Sequence, residues 1–169
     1  MLVNESDELK FEKHMMQNGW KSIKHPLGHY PYLYGIKPFK FYHKNKVNLD
    51  VCFQLSCRSM NKGEWFPLDM QIQEDLWLNK RQVHNRPWRY RLAKEDEVLH
   101  LVTRSVFDKN KFTNLYIDRI EELINEVDFE ILNQKFKLVF FNYTRPLIDA
   151  LKIRSYKNII HNYVKFKEY

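Results

Sequence analysis

The first residue that could do chemistry is Asp50, a carboxylate in the middle of an alternating apolar segment. In residues 47–57 apolar side chains recur at every second position, which places Asp50 on the opposite side, with Asn48, Gln54 and Ser56. A carboxylate aimed into a cleft could bind a metal ion or act as a base. The alternative is a solvated aspartate on the open face of a half-buried sheet, and spacing alone favours that interpretation.

A second candidate is the stretch 80–91, which mixes cations with aromatic residues and contains no acid. Such side chains can receive phosphate groups, and aromatic rings offer a surface on which a base can stack. We expect Lys80, Arg81 and Arg89 to hold phosphates. The predicted hairpin region carries a second basic group, at Lys37, Lys40, His43, Lys44 and Lys46. The alternative for both is an exposed, solvated surface, which is the usual role of such runs.

Several other kinds of site do not fit the sequence. The four glycines match neither the G-x-G-x-x-G fingerprint nor a P-loop. The histidines are scattered, and none lies at zinc-ligand spacing from a cysteine. Cys52 and Cys57 are five residues apart on a predicted strand, so they point to opposite faces and cannot form a local disulfide. His100, on an apolar helix, is predicted to be a core or boundary histidine.

Caps, turns and hydrophobic periodicity predict the elements that position these residues. Asn4 or Ser6 caps a first helix that ends before Gly19. Residues 39–57 are predicted to form a β-hairpin that turns at 44–46 and buries one face. After residue 92 the period becomes helical, and successive apolar stripes begin at Val98, Tyr116, Ile131, Leu147 and Tyr156. The nearly all-round apolar segment 131–141 is expected to be buried.

These elements predict an α+β fold, with a small mixed or antiparallel sheet followed by a helical C-terminal half. We expect the sheet part to span residues 1–92 and the helical part to span 93–169 and to pack on it. A chain of 169 residues is long enough to bury a core, and its formal net charge of +7 favours acidic partners. It has no apolar run approaching the roughly 18 residues that cross a bilayer. Its acidic N-terminus lacks the order of a signal peptide, so a cytoplasmic location without a membrane partner is expected.

Three segments together carry a family resemblance. VNLDVCFQLSC is similar to a strand with a v-D-l-h element, in which Asp50 is the aspartate. NLYIDRIEELI is similar to a later helix, with Asp118 at its aspartate. YRLAKEDEVLHL is similar to an L-x-x-e-D-x-L-l-H-L helix, matched by Leu92, Glu95, Asp96, Leu99, His100 and Leu101. Over residues 40–127 these segments resemble the uncharacterised bacterial nucleotidyltransferase-like proteins of the DNA polymerase β superfamily.

The resemblance implies a nucleotidyltransferase-like fold and a nucleotidyl-transfer reaction. A nucleoside monophosphate would move from a nucleoside triphosphate to a hydroxyl acceptor with the help of Mg²⁺. Asp50 would be the catalytic and metal-binding carboxylate, and Lys80, Arg81 or Arg89 would steady the phosphates.

The chain also departs from this family. Members begin with a Gly-Ser turn and a D-x-D strand, whereas this chain contains no Gly-Ser dipeptide. Residues 1–20 resemble the part of those proteins that includes the end of the D-x-D strand, a helix and an n-G-w element. Two-metal phosphoryl transfer needs several carboxylates, and Asp50 alone cannot hold both ions. The chain is therefore expected to be a truncated product, one half of a split enzyme, or an inactive relative that keeps a binding role.

Two hypotheses from other classes stay open. The chain could be a non-enzymatic nucleic-acid-binding module that uses the basic stretch 80–91, in which case its affinity would fall steeply with salt. It could instead be a partner-binding subunit whose missing N-terminal strand is supplied by a second chain, since an unpaired sheet edge favours such pairing.

Overall fold

A capped 3₁₀ turn precedes the first helix, and a glycine with a positive φ follows it. The Asn4 side chain accepts a hydrogen bond from the backbone N–H of Ser6 and opens a 3₁₀ turn over Glu5–Asp7. Helix α1 follows over Glu8–Gln17. Gly19 then takes a positive φ of 78°, a conformation that costs glycine little because it has no Cβ. The predicted first helix and its stop at Gly19 are confirmed.

The structure is a computed structural model that describes residues 1–23, 39–58, 65–84 and 90–167. The chain divides into two compact units, Met1–Leu68 and Asp69–Tyr169. The division expected at residue 92, where the hydrophobic period becomes helical, stays a prediction.

The first unit is built on a three-stranded antiparallel sheet in the order β1-β2-β3. Its strands are β1 (Lys21–Ile23), β2 (Phe39–Lys44) and β3 (Val47–Cys52). Lys44 pairs with Val47 across a two-residue turn, where Asn45 has a φ of 55°. Asparagine tolerates this left-handed conformation better than most residues, which explains the turn. The predicted hairpin and its turn are confirmed as far as Cys52.

The alternating segment does not form one strand as far as Cys57. Strand β3 ends at Cys52, and β4 (Ser56–Arg58) belongs to a second sheet with β5 (Trp65–Pro67). In the segment that links β3 to β4, Leu55 is buried, and its carbonyl accepts a hydrogen bond of 2.8 Å from the N–H of Leu68. Burial of the alternate residues therefore continues through the break although the ladder does not. Hydrophobic periodicity indicates which residues are buried, but it does not show where one strand ends and the chain joins another sheet.

Helix α1 covers one face of the three-stranded sheet. The buried cluster contains Met15 from the helix, Tyr42 from β2 and Val51 from β3. The rings of Phe11 and Tyr42 meet edge to face at 5.8 Å, an arrangement that aromatic pairs favour. On the same side Lys40 pairs with Glu8 and, at 2.5 Å, with Glu12. These contacts fix which face of the sheet is covered.

The second unit begins with a helix that has only a weak periodic signal in the sequence. Helix α2 spans Met70–Leu78 and is capped by Asp69, whose side chain accepts from the N–H of Gln71 at 2.9 Å. It buries only Ile72 and Leu76, so its apolar stripe is too short to stand out in the sequence. Two short strands come next along the chain, β6 (Arg81–Gln82) and β7 (Tyr90–Arg91).

The remaining helices of this unit match the predicted stripes. They are α3 (Lys94–Thr103), α4 (Asn114–Leu123), α5 (Phe129–Phe140), α6 (Thr144–Lys152) and α7 (Tyr156–Lys167). The predicted inward residues of α3 and the adjoining turn are fully or almost fully buried, at Val98, Leu99, Val102 and Val106. That turn is a π-helix over Arg104–Lys109. A 3₁₀ turn over Phe141–Tyr143 joins α5 to α6.

The expectation that the segment 131–141 is buried all round is wrong in part. Leu132, Phe136 and Phe140 are buried, but Ile131 is 43% exposed and Phe141 is 73% exposed. Phe141 lies beyond the end of α5, where the chain turns with a φ of 49°. Helix α5 is thus an ordinary surface helix with one buried face.

The described elements make an α+β protein with small antiparallel sheets and a helical C-terminal part, as the sequence predicts. None of the helices in the described part of the chain is long and apolar enough to cross a membrane.

Candidate functional site

Asp50 lies at the centre of β3, on the face of the sheet that α1 does not cover, and its side chain is exposed. The next residue, Val51, points to the other face and is completely buried. The alternation predicted from the sequence therefore places Asp50 correctly on the outer side of the strand.

The surroundings of Asp50 differ from the polar face that the sequence suggested. Across the sheet Asp50 pairs with Phe41, and Phe41 pairs with Ile23. Residues that are paired across antiparallel strands lie on the same face of the sheet. Asp50 is therefore at one end of a row across the strands whose other two members, Phe41 and Ile23, are apolar. The adjacent row is polar, since His43 pairs with Asn48 and its Nδ1 lies 3.0 Å from the Asn48 Oδ1. A sequence pattern along one strand cannot reveal what the neighbouring strands contribute.

The backbone of the first residues runs beside Asp50. Leu2 forms a parallel bridge with Cys52, and the Val3 N–H donates to the Cys52 carbonyl at 2.9 Å. The Met1 amino group donates to the Asp50 carbonyl at 2.6 Å. The segment Met1–Val3 thus extends the sheet beyond β3 and leads into α1.

The described residues do not suit a pair of magnesium ions. Asp50 is a single carboxylate, and no group of three or more His, Cys, Asp or Glu residues in the described ranges could hold a metal ion. Magnesium prefers six oxygen ligands, of which proteins commonly supply one or two carboxylates per ion. Asp50 could supply one ligand, and the others would have to come from elsewhere.

The predicted phosphate-binding residues fall in the second unit. Lys80 is exposed, its ammonium group donates to the Trp77 carbonyl at 2.7 Å, and it lies 5.4 Å from the centre of the Tyr90 ring. Arg81 donates to the Leu92 carbonyl at 2.8 Å and to Glu97 at 2.9 Å, so a phosphate would have to compete with that carboxylate.

Two of the predicted basic residues, Arg89 and Lys37, lie outside the described residues. Lys40, from the basic group on the hairpin, is held by Glu8 and Glu12 and is not available to a phosphate in this arrangement.

Three consecutive acids in the first turn of α3 reach three different parts of the second unit. Glu95 accepts from the N–H of Asp128 at 2.9 Å, at the start of α5. Asp96 pairs with Lys135 at 2.8 Å. Glu97 binds Arg81 and also Arg119, at 2.6 Å. Successive helical residues are turned by about 100°, which explains why neighbours in sequence meet different partners. Glu97 is also the acid that balances part of the basic stretch 80–91.

The pair formed by Asp96 and Lys135 is deeply buried. Asp96 is completely inaccessible, the Lys135 side chain is only 8% exposed, and Asp75 adds a second carboxylate 3.1 Å from the ammonium group. Burial alone would lower the pKa of Lys135, but its bonds to Asp96 and Asp75 outweigh that effect and raise the pKa above its usual value. The lysine therefore stays charged, and the buried pair offers no access to a substrate.

Two further groups considered from the sequence, His100 and Cys57, have pKa values shifted by burial. Burial, helped by the charge of Arg104, lowers the pKa of His100 to about 4, so its ring is neutral near pH 7. This agrees with the predicted core or boundary role. Cys52 and Cys57 are both free thiols, and burial raises the pKa of Cys57, which disfavours the reactive thiolate.

Sequence reasoning missed a cavity of about 560 Å³ in the second unit. The first turns of α4 and α7 and the loop before α4 border it. Its lining combines aromatic and aliphatic walls with basic and amide groups, namely Phe112, Ile117, Tyr156, Ile160, Lys111, Lys157, His161, Asn110 and Asn114. The two lysines are 46 residues apart in the sequence, so no local motif marks them.

Comparison with protein-family models gives no match, and comparisons with curated proteins and with solved structures give none either.

Proposed function

We propose that this chain is a nucleotidyltransferase-like protein in which Asp50 supplies one carboxylate of a magnesium–nucleotide site. In its complete form the site would serve transfer of a nucleoside monophosphate to a hydroxyl acceptor. The expectation from the sequence that Lys80, Arg81 and Arg89 contact the phosphates stays a prediction, and Arg81 would have to exchange its contact with Glu97 to do so. The proposal also places the protein in the cytoplasm.

The observation that carries the proposal is the position of Met1–Val3 beside Asp50. The sequence resemblance implies that residues 1–20 correspond to the end of a carboxylate-bearing strand, a helix and an n-G-w element. In the structure Met1–Val3 lies in the sheet next to β3, α1 comes after it, and Gly19 ends the helix before Trp20. This order of structural elements supports the proposal in addition to the similarity of the motif sequences.

The same position indicates where the other carboxylates would have to stand. Met1–Val3 runs parallel to β3 and its amino group donates to the Asp50 carbonyl, so the other carboxylates would have to lie on the line of this segment, beside Asp50. Carboxylates held on that line could complete a site around Asp50. Without such groups we expect magnesium-dependent nucleotide binding and no transfer, since one carboxylate cannot position two ions.

The test is calorimetric titration with ATP, with and without Mg²⁺, on the wild-type chain and on Asp50→Asn. We expect Mg²⁺ to strengthen ATP binding to the wild type and to have little effect on the variant. The substitution keeps the shape of the side chain and removes the charge that attracts the cation. Because Asp50 is exposed, it should leave the stability of the fold within about 0.5 kcal/mol.

Asp7→Asn is the matched control, since Asp7 is also an exposed aspartate of the first unit and makes no side-chain cap. It should bind ATP and respond to Mg²⁺ like the wild type. Magnesium-dependent binding that survives Asp50→Asn unchanged would exclude the assigned role of Asp50.

The alternative function is a nucleic-acid-binding module, which the net charge of +7 favours. It predicts binding to single-stranded RNA that needs no Mg²⁺ and weakens steeply as salt is added. Lack of RNA binding at low ionic strength would remove this alternative and leave the nucleotide site in place.

A further inference from the structure

The cavity between the first turns of α4 and α7 has the composition of a ligand site. Its volume of about 560 Å³ lies within the range of small-molecule pockets. One side is formed by Phe112 and Tyr156, whose ring centroids are 5.1 Å apart and whose planes are inclined by 50°, so a flat group can stack on one ring and meet the other at an angle. The Tyr156 hydroxyl donates to Glu121 at 2.5 Å, which fixes the orientation of the ring. A flat apolar group can therefore pack against a preformed aromatic surface.

The rim of this cavity is positively charged. Lys111 and Lys157 are exposed at its edge, and His161 adds an imidazole that can donate a hydrogen bond. No carboxylate is found among the described residues that line it. Neither lysine forms an ion pair within the described part of the chain, whereas Lys94 and Lys135 of the same unit both pair with acids. Lys111 and Lys157 are therefore cations available to an anion.

The backbone around the cavity adds to the positive potential. Asn114 is the first residue of α4 and Tyr156 is the first residue of α7, so the first turns of two helices line the same space. Helix N-termini carry a partial positive charge that favours anions. These two helix ends reinforce the lysines.

An irregular backbone leads into the site. The π-helix Arg104–Lys109 ends at Asn110, which has a φ of 52°, and the Lys111 N–H then bonds to the Ser105 carbonyl at 3.0 Å. Runs of π-helix are rare and occur mainly at functional sites. In this chain Asn110, Lys111 and Phe112, which directly follow the π-helix, line the cavity.

We propose that this cavity binds a nucleoside monophosphate, with the base against Phe112 and Tyr156 and the phosphate between Lys111 and Lys157. A dianionic phosphate suits two lysines and two helix ends better than a carboxylate does, and the aromatic wall suits a base. The site lies wholly within the second unit, and binding there requires neither Asp50 nor Mg²⁺.

The test is calorimetric titration of the full chain with AMP in EDTA at low ionic strength, with adenosine and inorganic phosphate as partial ligands. We expect AMP to bind more tightly than either partial ligand, because it uses both halves of the cavity. Lys111→Gln and Lys157→Gln should each weaken AMP binding by about five- to tenfold, the value of one partly exposed charge-assisted hydrogen bond.

The matched control is the double variant Lys10→Gln/Lys13→Gln, which removes two exposed lysines of α1 and the same total charge. It should bind AMP like the wild type, whereas Lys111→Gln/Lys157→Gln should lose most of the affinity. Ile160→Trp narrows the cavity without changing its charge, and it should weaken AMP and adenosine together. Circular dichroism confirms that each variant is folded.

Equal AMP affinity in the two double variants would overturn the proposal, as would absence of AMP binding at millimolar concentration. AMP binding that needs Mg²⁺ and is lost in Asp50→Asn would also overturn it and would assign the nucleotide to the first unit instead. Failure of the magnesium-dependent ATP experiment does not affect this proposal, because the two sites are probed under different conditions.

Discussion

Replacement of Lys135 by methionine is expected to destabilise the second unit strongly. Methionine keeps the length and apolar stem of the lysine but leaves Asp96, which is completely buried, without its counter-charge. Asp75 is 30% exposed at its side chain and can be hydrated when the lysine is lost, so most of the cost arises at Asp96. Breaking a buried ion pair from one side typically costs about 3–5 kcal/mol, and we expect Lys135→Met to fall in that range.

Urea unfolding followed by circular dichroism measures this cost as a difference in the free energy of unfolding. Lys137→Met is the matched control, since Lys137 is an exposed lysine of the same helix, and it should change stability by less than about 0.5 kcal/mol. The double variant Lys135→Met/Asp96→Leu removes both charges and should recover most of the loss. A loss of less than about 1 kcal/mol in Lys135→Met would show that Asp96 finds another partner or water, and the expected cost would be refuted.

Two further predictions concern backbone strain and protonation. Phe141 has a φ of 49° and a ψ of −121°, a region open mainly to glycine, so Phe141→Gly should be more stable than Phe141→Ala by about 1 kcal/mol in urea unfolding. At a position with ordinary backbone angles, the alanine variant is more stable than the glycine variant. The same order at position 141 would contradict the inferred backbone strain. The pKa of His100 is about 4, below the ordinary value of 6.5, so the unfolded chain takes up a proton that the folded chain does not. Stability should therefore fall by about 2–3 kcal/mol between pH 7 and pH 4.5. His100→Gln should reduce this pH dependence, and an unchanged slope would contradict the assignment.

Local signals predicted the elements that depend on local physics. The end of the first helix at Gly19 and the tight turn at Asn45 depend on a few neighbouring residues, and each was found where the sequence placed it. Of the two caps that the sequence offered, Asn4 is used, and it opens the 3₁₀ turn before the helix. The apolar stripe of α3 was equally clear, because its burial repeats with the helical period.

Contacts between residues that are far apart in the sequence could not be predicted from local sequence patterns. Lys135 meets Asp96 across 39 positions of the sequence, and Arg81 meets Glu97 across 16, so neither pairing leaves a local pattern. The basic stretch 80–91 contains no acid and looked unbalanced for that reason, although Glu97 lies against it in the folded chain. For the candidate site the sequence placed Asp50 on the outer face of its strand, but the apolar row beside it comes from two other strands.

The three acids at the start of α3 have a consequence for how related sequences are interpreted. Each of Glu95, Asp96 and Glu97 holds a separate part of the helical unit, so substitution of any of them removes a different long-range contact. Selection for a stable fold would then preserve three adjacent carboxylates, which is the pattern that an alignment usually attributes to catalysis. In a set of relatives, invariance at these positions would then reflect the contacts that hold the unit together and not a shared reaction. Covariation of these acids with Lys135 or Arg119 would distinguish the structural cause from the catalytic one.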